Sequence, residues 1–596
     1  MPIRAASVGS GSCASAAPPA AARRLRPAPA FPHRTNRAER NRASWRPPTL
    51  RMSIPRPQTG TSASARQSES VFGKHDASNQ LPGASFVRPN GRAALWRCHT
   101  QTGWKPILKP ACFLRELGPW RRRLALFACG AVSTFALAPF GVMPVMFITM
   151  PALVWLMDGA LLEKRGRARM VSGFAALWWF GFGYFVFGLW WLGVALLKDA
   201  GLYAWALPLA VLGFPAMLAL FYGLAGALAA LVWRPGPSRL VALAVAMIVA
   251  EWLRGHVATG FPWNAIAYTA MPTPLFMQSI RLTGLYVMGG LAVFVFASPA
   301  LLSDRRGRRA GLVAAILLVA ADLGYGYHRL NAAGPSAGRV VNFRLVQPAI
   351  GDAAWRSPEG RAEIFARLIA LSSAPGEPGA AEPDVIVWPE STLPFLLEER
   401  PDARTAIGEL LRPGQTLILG AARFAGRKPD GWPEFYNAIY VLDDAGRTVS
   451  VAGKTHLVPF GEYLPFEDFF RAIGLQALTT LPGSYVPAEN RQMLLLPDGL
   501  TLFPLVCYEA IFPRLVDGKT GEAAALLNLT YDAWFGRTPG PYQHFAQARL
   551  RAVETGKTLI RAGENGVTAV IDSRGNVVRR LPFDEPGILD VPVLLP

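Results

Sequence analysis

Three residues that together could perform nucleophilic catalysis follow apolar segments in the C-terminal half of the chain. Glu390 ends DVIVWPE, Lys454 ends VAGK and Cys507 ends LTLFPLVC. A thiol has a pKa of about 8.5 and becomes a strong nucleophile when a base removes its proton. A buried carboxylate can act as that base, and an ammonium can stabilise the thiolate and a developing oxyanion. We therefore predict that Glu390, Lys454 and Cys507 form a catalytic triad.

Each of these residues also has an ordinary interpretation. Taken alone, Glu390 or Lys454 is more often a surface charge or a helix cap, and a lone cysteine is more often a small buried hydrophobic residue. The shared position of all three beyond apolar runs, with proline and aromatic neighbours, favours the catalytic interpretation.

The elements that must position the triad are those of an α/β domain. Amphipathic stretches at 359–371 and 543–554 are predicted helices. In α/β sheets, functional side chains gather beyond the carboxyl ends of strands, so strand ends can bring the triad together. Residues 338–596 are long enough for one full core. The predicted strands are 340–346, 385–388, 416–420, 438–442, 502–506, 524–529 and 567–572, and 449–452 precedes Lys454.

Cysteine and histidine usage argues against a metal centre. Cys507 is the only cysteine after residue 129, the others being Cys13, Cys98, Cys112 and Cys129. The C-terminal domain therefore cannot form an internal disulfide and offers no second thiolate ligand. The seven histidines show no ligand spacing, and there is no glycine-rich phosphate loop. We predict neither a metal nor a cofactor.

The net charge of +21 comes almost entirely from the N-terminus. Residues 1–123 hold 22 Lys and Arg against four acidic residues, so +18 of the total lies there. The rest of the chain has no need of a basic face, which excludes a nucleic-acid-binding function. Residues 1–118 are rich in Arg, Pro, Ser and Ala, and we predict a disordered extension. It resembles a transit peptide, and a start codon assigned too far upstream explains it equally well.

The chain is 51% hydrophobic and 17% charged with a positive mean hydropathy, which indicates a membrane protein. Residues 119–330 are predicted to form a seven-span transmembrane domain. Basic loops at 121–123, 164–169, 234–239 and 305–309 fall on one side of the membrane, which the positive-inside rule makes cytoplasmic. The C-terminal domain is then extracytoplasmic. The predicted spans are 124–141, 143–162, 171–196, 201–233, 240–253, 283–302 and 310–327.

Two features near the end of the fifth predicted span have alternative interpretations. Glu251 and Arg254 are either functional intramembrane residues or partners of each other at the interface. The loop GFPW at 260–263 carries a turn signal, and its simplest interpretation is an aromatic anchor in the membrane interface.

The motifs WPES, GKTHLVPFGEYLPF and CYEAIFP, in this order and at these distances, resemble the nitrilase superfamily of Glu-Lys-Cys enzymes. With the predicted spans in front, the chain from about Leu124 onward resembles the apolipoprotein N-acyltransferase family. The segment NLTYDAWFGRTPGPYQHFAQARLRAVETGK and the GFPW loop strengthen this resemblance.

The resemblance implies a multi-pass α-helical membrane domain followed by an α/β nitrilase-type α-β-β-α sandwich. It implies that Glu390 is the general base, that Lys454 lies at the oxyanion and that Cys507 is the nucleophile. It further implies supporting roles for four residues near the triad or the acyl donor. These are Trp355, Glu462, Tyr508 and Glu509.

The reaction that the resemblance implies is a two-step transfer. Cys507 takes an acyl chain from a membrane phospholipid such as phosphatidylethanolamine, and the thioester then acylates the α-amino group of a diacylglyceryl-cysteine at the N-terminus of an apolipoprotein. The expected location is the bacterial inner membrane, with the catalytic domain in the periplasm.

The segment 456–475 is unusually apolar, and we interpret it as a membrane-facing arm, the alternative being a core-packed amphipathic helix.

Four departures from the family pattern stand beside the resemblance. They are the N-terminal extension, the lack of a final transmembrane helix after the catalytic domain, Ala354 where a basic residue commonly precedes the family tryptophan, and AGENG at 562–566.

The nearest alternative function is a membrane-anchored amidase or nitrilase that uses the same triad with water as acceptor. A transporter or receptor is disfavoured because the predicted spans are nearly free of ionisable residues.

Overall fold

The computed structural model describes residues 108–596, except for 162, 199, 333–337, 352–353, 429–430, 468–471 and 473–483. The predicted N-terminal extension therefore lies outside the described residues as far as residue 107. Helices dominate the described chain up to residue 331, and strands dominate it from residue 339 onward.

The described helices of the N-terminal part surround a large apolar core. Met143–Leu161, Gly166–Leu189, Ala204–Val232, Ile280–Ser303 and Arg308–Asn331, some of which include short 3-10 or π turns, are long and apolar enough to cross a membrane. The helices are α1 (Leu108–Glu116), α2 (Pro119–Ser133), α3 (Met146–Leu161), α4 (Gly166–Leu189), α5 (Leu192–Leu197), α6 (Ala200–Tyr203), α7 (Phe214–Val232), α8 (Pro237–His256), α9 (Pro274–Met277), α10 (Ile280–Ala297) and α11 (Arg308–Asn331).

Five of the seven predicted spans coincide with these apolar segments, and the other two coincide with α2 and α8. Helix α2 has 15 residues, whereas a membrane core of ~30 Å needs about 20. Helix α8 has 20 residues but carries Arg239, Glu251 and Arg254. The number of seven spans thus stays a prediction.

Glu251 and Arg254 pair with each other and hold the loop that follows α8. The Arg254 guanidinium donates to Glu251 and to the carbonyls of Phe261 and Trp263. Glu251 also accepts from the backbone N–H of Ile266 at 3.2 Å. Trp263 is 2% exposed, so the indole of the GFPW loop packs inside the protein and is not a lipid anchor.

The C-terminal part contains two sheets. The first has the order β13-β1-β2-β3-β4-β5 with β6 beside β4, and the second has the order β12-β11-β10-β9-β8-β7. The strands are β1 (Arg339–Gln347), β2 (Val385–Val387), β3 (Thr416–Arg427), β4 (Pro433–Leu442), β5 (Thr448–Gly453), β6 (Ser484–Tyr485), β7 (Leu494–Leu495), β8 (Thr501–Val506), β9 (Ala525–Thr530), β10 (Thr558–Gly563), β11 (Ala569–Ile571), β12 (Val577–Arg580) and β13 (Gly587–Leu595).

Alternate residues of each strand face opposite sides of its sheet. Each sheet therefore packs against the other sheet on one face and against helices on its other face, which gives four layers. Phe343 and Val387 of the first sheet meet Leu527 of the second in a shared core. The outer face of the first sheet packs on helices α12 (Pro358–Ser373) and α13 (Pro401–Leu410). The outer face of the second packs on α14 (Pro539–Thr555). The predicted α-β-β-α sandwich is confirmed.

Helix α14 belongs to both parts of the protein. Its residues Phe545, Ala548 and Ala552 pack on the second sheet. Leu550 and Val553, on another face of the helix, pack against apolar residues of 265–288 in the helical part. Helix α14 therefore joins the second sheet to the helices of the N-terminal part.

Candidate active site

The predicted triad converges at one edge of the sandwich. Glu390 lies just beyond β2, Lys454 directly after β5 and Cys507 directly after β8. Lys454 Nζ lies 3.7 Å from Glu390 Oε1, and the Cys507 thiol is a hydrogen-bond partner of the same carboxyl group. The backbone N–H of Tyr531 donates to Glu390 Oε2 at 2.8 Å. Glu390 and Lys454 are 5% and 1% exposed, so both charged groups are largely shielded from solvent.

Glu462 completes this cluster as a second carboxylate. Lys454 Nζ donates to Glu462 Oε1 at 2.9 Å, and the backbone N–H of Val458 donates to Oε2 at 2.7 Å. Asn437 Nδ2 donates to Glu390 Oε1 at 2.7 Å and to Glu462 Oε1 at 2.9 Å. Sequence reasoning missed Asn437, because a single amide inside the apolar strand β4 gives no signal of its own.

The pKa shifts describe a resting site in which a protonated thiol lies beside a strengthened base. Burial raises the pKa of the Cys507 thiol, and the nearby Glu390 carboxylate raises it further, so the resting thiol is protonated. Burial also raises the pKa of Glu390, which makes this carboxylate a stronger base. Burial acts to lower the pKa of Lys454, but Glu462 and Glu390 outweigh it and raise that pKa, so the lysine stays an ammonium.

The backbone has an unusual conformation at Cys507 and at the residue that follows Glu390. Cys507 has φ +49° and Ser391, which follows Glu390, has φ +50°. Residues other than glycine rarely adopt this region, and such strain persists where the surroundings hold it. At Cys507 it marks a sharp change of direction from β8 into a 3-10 turn over Cys507–Ile511, which presents the thiol at the strand end.

Glu509 is a buried clamp that ties two triad segments together. Its carboxylate accepts the backbone N–H groups of Val506 at 2.8 Å, Thr455 at 2.9 Å and His456 at 3.0 Å. It also forms an ion pair with Arg491 at 2.6 Å. The clamp joins the residue before the cysteine to the residues after the lysine, so Glu509 acts on the geometry of the site.

Tyr508 points towards the membrane helices. Its hydroxyl donates to the Gly260 carbonyl at 3.3 Å, and its ring packs edge-on against Phe512. Trp355 is half-buried beside Tyr531, with ring centroids 6.5 Å apart, and its indole N–H has no partner among the described residues. The structure thus brings Glu462 into the triad cluster and leaves Tyr508 and Trp355 at its periphery.

A second buried cluster lies behind the cysteine. Sulfur, oxygen and nitrogen atoms of Cys507, Asp532 and His544 lie within 4.8 Å of one another, close enough for a shared metal ion. Asp532 accepts from Thr530 at 2.9 Å and from Arg561 at 2.7 Å, and His544 contacts Asp532 and the Cys507 carbonyl. The oxygens and nitrogens of Asp532 and His544 thus all have protein partners, which accounts for the cluster as a hydrogen-bond network. The segment 528–557 contributes to the family resemblance, but no role was predicted for Asp532 or His544.

Comparison with known families agrees with this architecture. A model described as the apolipoprotein N-acyltransferase N-terminal domain matches residues 129–298, and one described as carbon-nitrogen hydrolase matches residues 344–595. The chain is 48% identical over 484 residues to the apolipoprotein N-acyltransferase of Brucella suis biovar 1 (strain 1330), which covers 80% of this chain and 90% of the relative. The chain belongs to the apolipoprotein N-acyltransferase family. The predicted resemblance is confirmed.

A second relative of the same family has the same identity to this chain. The apolipoprotein N-acyltransferase of Rhizobium rhizogenes (strain K84 / ATCC BAA-868) is 48% identical over 477 residues, covering 79% of this chain and 90% of the relative. The crystal structure of an amidase from Nesterenkonia sp. is 20% identical with a TM-score of 0.31, covering 43% of this chain and 92% of the amidase. Membership of the apolipoprotein N-acyltransferase family and the five apolar helices make the protein a multi-pass membrane acyltransferase.

Proposed function

We propose that this protein transfers an acyl chain from a membrane phospholipid, through a thioester on Cys507, to the α-amino group of the diacylglyceryl-cysteine of an apolipoprotein. One observation carries the phospholipid part of the proposal. Tyr508 and Ile511, in the turn that begins at Cys507, and Phe512, directly after it, pack into the core of the membrane helices. The nucleophile therefore lies beside the membrane part, where the ester of a lipid can reach it.

In the first half-reaction, Glu390 takes the proton of the Cys507 thiol, and the thiolate attacks the carbonyl carbon of the phospholipid ester. The Lys454 ammonium stabilises the negative charge that forms on the carbonyl oxygen. Collapse of this intermediate breaks the ester C–O bond, and the departing alkoxide takes the proton from Glu390. The products are a Cys507 thioester and a lysophospholipid.

In the second half-reaction, the amine of the apolipoprotein attacks the thioester. Glu390 takes a proton from the attacking nitrogen, and the Cys507 thiolate leaves and regains a proton. An amide bond forms and a thioester bond breaks, so the enzyme returns to its starting state. Because a thioester also reacts with water, the burial of Glu390 and Lys454 favours transfer over hydrolysis.

We place the catalytic domain, residues 338–596, on the periplasmic side of a bacterial inner membrane. The basic loops of the membrane part support this orientation under the positive-inside rule if all seven predicted helices span. The phospholipid donor and the apolipoprotein acceptor are then both available on that side.

The apolar arm is proposed as the route by which lipid reaches the site. Phe460 and Phe466 are 62% and 79% exposed in a segment that follows the lysine of the triad, whereas Leu457 is buried. Phe469, Phe470 and Ile473 of the predicted arm lie outside the described residues. Two large phenyl rings facing outward support a membrane-facing arm over a core-packed helix.

Incubation of the membrane-embedded protein with acyl-labelled phosphatidylethanolamine tests the proposal. We expect a hydroxylamine-labile label that is absent in Cys507→Ala and that moves to the amine of a diacylated lipopeptide. Release of labelled fatty acid without transfer to the lipopeptide would contradict the proposal and indicate a hydrolase.

A further inference from the structure

The buried dipeptide Gln543–His544, in the first turns of α14, has no part in the steps described above. Both side chains lie between the second sheet and the membrane helices and are almost completely buried. One of them contacts the residue that carries the thiol, and the other contacts the membrane part.

His544 holds the backbone of Cys507. Its Nε2 lies 3.1 Å from the Cys507 carbonyl oxygen, and since a carbonyl oxygen can only accept, Nε2 is the donor. On the other side of the ring, Nδ1 lies 2.8 Å from Asp532 Oδ1 and 3.3 Å from Arg561 Nη2, and Asp532 and Arg561 form an ion pair with each other. Cys507 is the residue with φ +49°, so its strained backbone is held by a side chain that is braced from behind.

Gln543 holds the membrane part. Its Oε1 accepts three hydrogen bonds, from Trp191 Nε1 at 3.2 Å, from Trp263 Nε1 at 3.0 Å and from Asn264 Nδ2 at 3.1 Å. Trp191 lies between α4 and α5, and the other two donors belong to the loop after α8. One amide oxygen thus joins two separate segments of the membrane part to the start of α14.

We propose that His544 is a positioning residue for Cys507 and that Gln543 fixes His544 to the membrane part. Through Gln543 and His544, the position of the loop after α8 then determines the position of the Cys507 backbone. The proposal rests on the proposed role of Cys507 as nucleophile. It adds that the membrane part sets the geometry of the thiol in addition to supplying lipid.

Two substitutions at His544 separate positioning of Cys507 from support of Asp532. In His544→Gln the side-chain amide takes the place of Nε2 and can still donate to the Cys507 carbonyl. In His544→Asn the amide takes the place of Nδ1, keeps the contact with Asp532 and loses the contact with Cys507. We expect His544→Asn to lower the rate of Cys507 acylation at saturating phospholipid by roughly 10- to 100-fold, with the KM for phospholipid nearly unchanged. His544→Gln retains most of the rate.

The same two variants are compared by the rate at which iodoacetamide alkylates Cys507. This rate reports the placement and exposure of the thiol and does not depend on acyl transfer. We expect it to change in His544→Asn and to stay near the wild-type rate in His544→Gln. If the wild type forms no thioester, the proposed function fails, and the alkylation rates still decide the positioning role.

Gln543→Leu tests the link to the membrane part, and Gln547→Leu is its matched control. Gln547 lies one turn further along α14 and is equally buried, but neither of its side-chain polar atoms has a hydrogen-bond partner among the described residues. We expect Gln543→Leu to slow acylation by roughly tenfold or more and Gln547→Leu to leave it unchanged.

Three outcomes would overturn the proposal. They are equal acylation and alkylation rates in His544→Gln and His544→Asn, a faster His544→Asn, and equal losses in Gln543→Leu and Gln547→Leu. Thermal unfolding of each variant in detergent shows that the compared proteins are folded. If His544→Asn does not fold, the comparison of Gln543→Leu with Gln547→Leu decides the proposal.

Discussion

Asn437 shares one amide between the two carboxylates that flank Lys454. Burial raises the pKa of Glu390, and the Asn437 hydrogen bond acts in the opposite direction. In Asn437→Ala the pKa of Glu390 is therefore expected to rise further. Because the proposed base must be ionised, the acidic limb of the pH–rate profile of Cys507 acylation moves to higher pH. Loss of a hydrogen bond to a charged group predicts a rate loss of roughly tenfold near pH 7.

Asn342→Ala is the matched control for this experiment. Asn342 Nδ2 also donates to a carboxylate, that of Asp384 at 3.0 Å, but it lies on β1 away from the triad. Its pH–rate profile should coincide with that of the wild type. An Asn437→Ala profile with an unmoved acidic limb would show that the amide does not tune the base.

Glu509 is predicted to matter for stability. Burial acts to raise the pKa of Glu509, but Arg491 outweighs it, so the pKa lies below its usual 4.5. The contribution to stability is therefore full above pH 4.5 and is lost as the pH falls through the lowered pKa. Glu509→Gln leaves Arg491 without its ion pair and should lower the free energy of unfolding by about 3 kcal/mol at neutral pH.

Thermal unfolding in detergent measures this effect, with the exposed residue Glu522 replaced by glutamine as control. The difference between wild type and Glu509→Gln should shrink as the solution is acidified. A midpoint for Glu509→Gln equal to that of Glu522→Gln would refute the clamp.

The convergence of Glu390, Lys454 and Cys507 could be predicted from the sequence because each follows an apolar run. The ends of β2 and β5 in the first sheet and of β8 in the second meet at one edge of the sandwich. Asn437 and His544 could not be predicted, since one lies inside a strand and the other inside a helix. Their importance comes from contacts between residues far apart in the chain, such as His544 with the Cys507 carbonyl. The composition and spacing of the sequence do not predict those contacts.

Strand β3 approaches the end of β2 through a glycine. A Cβ on Gly420 would lie 2.6 Å from the Glu390 Cα and 2.7 Å from the Pro389 carbonyl oxygen, closer than backbone atoms tolerate. Gly420→Ala should therefore push the end of β2 away and displace the proposed base. A displacement of this kind predicts a loss of roughly 10- to 100-fold in the acylation rate.

Gly351→Ala serves as the control, because a Cβ at Gly351 would meet no atom within 4 Å. The acylation rate of both variants is measured with the same phospholipid vesicles. If Gly420→Ala acylates at the wild-type rate, the close approach of the two strands has no bearing on the base.

The exposed phenyl ring of the arm is expected to act on lipid access. Phe466→Ser removes an apolar side chain that is 79% exposed, so binding of a vesicle-embedded donor should weaken and its KM should rise several-fold. The rate with a detergent-dispersed short-chain donor should stay the same. Val578→Ser, an exposed apolar residue on β12, is the control. Equal kinetics of Phe466→Ser and wild type on vesicles would rule out the arm.

The elements were predicted with uneven success for a physical reason. The seven predicted strands and the 449–452 segment coincide with β1, β2, β3, β4, β5, β8, β9 and β11. These strands include apolar runs such as residues 502–506 of β8. The two-residue strands β6 and β7, the strands β10 and β12, and the C-terminal strand β13 were missed. Strand β13, at the end of the domain's sequence, pairs with β1, at its beginning. This long-range pairing has no local sequence signal.

The orientation of the whole molecule is testable by labelling. In a background without the five native cysteines, Lys519→Cys lies on the exposed surface of the catalytic domain and Arg306→Cys lies in a basic loop of the membrane part. With the proposed periplasmic catalytic domain, a membrane-impermeant maleimide added to intact cells should label Lys519→Cys and spare Arg306→Cys. After lysis both should react. The opposite pattern in intact cells would invert the topology.

The division of the chain at about residue 330, which the change in composition indicates, does not coincide with a division of the packed interior. Helix α14 presents one face to the catalytic sheet and another to the membrane part, and Phe512 lies in the membrane core. Exchange of whole domains between relatives would therefore pair mismatched surfaces along α14. A functional chimera requires that α14, the turn after Cys507 and the loop after α8 come from the same parent, so these segments form one unit of inheritance.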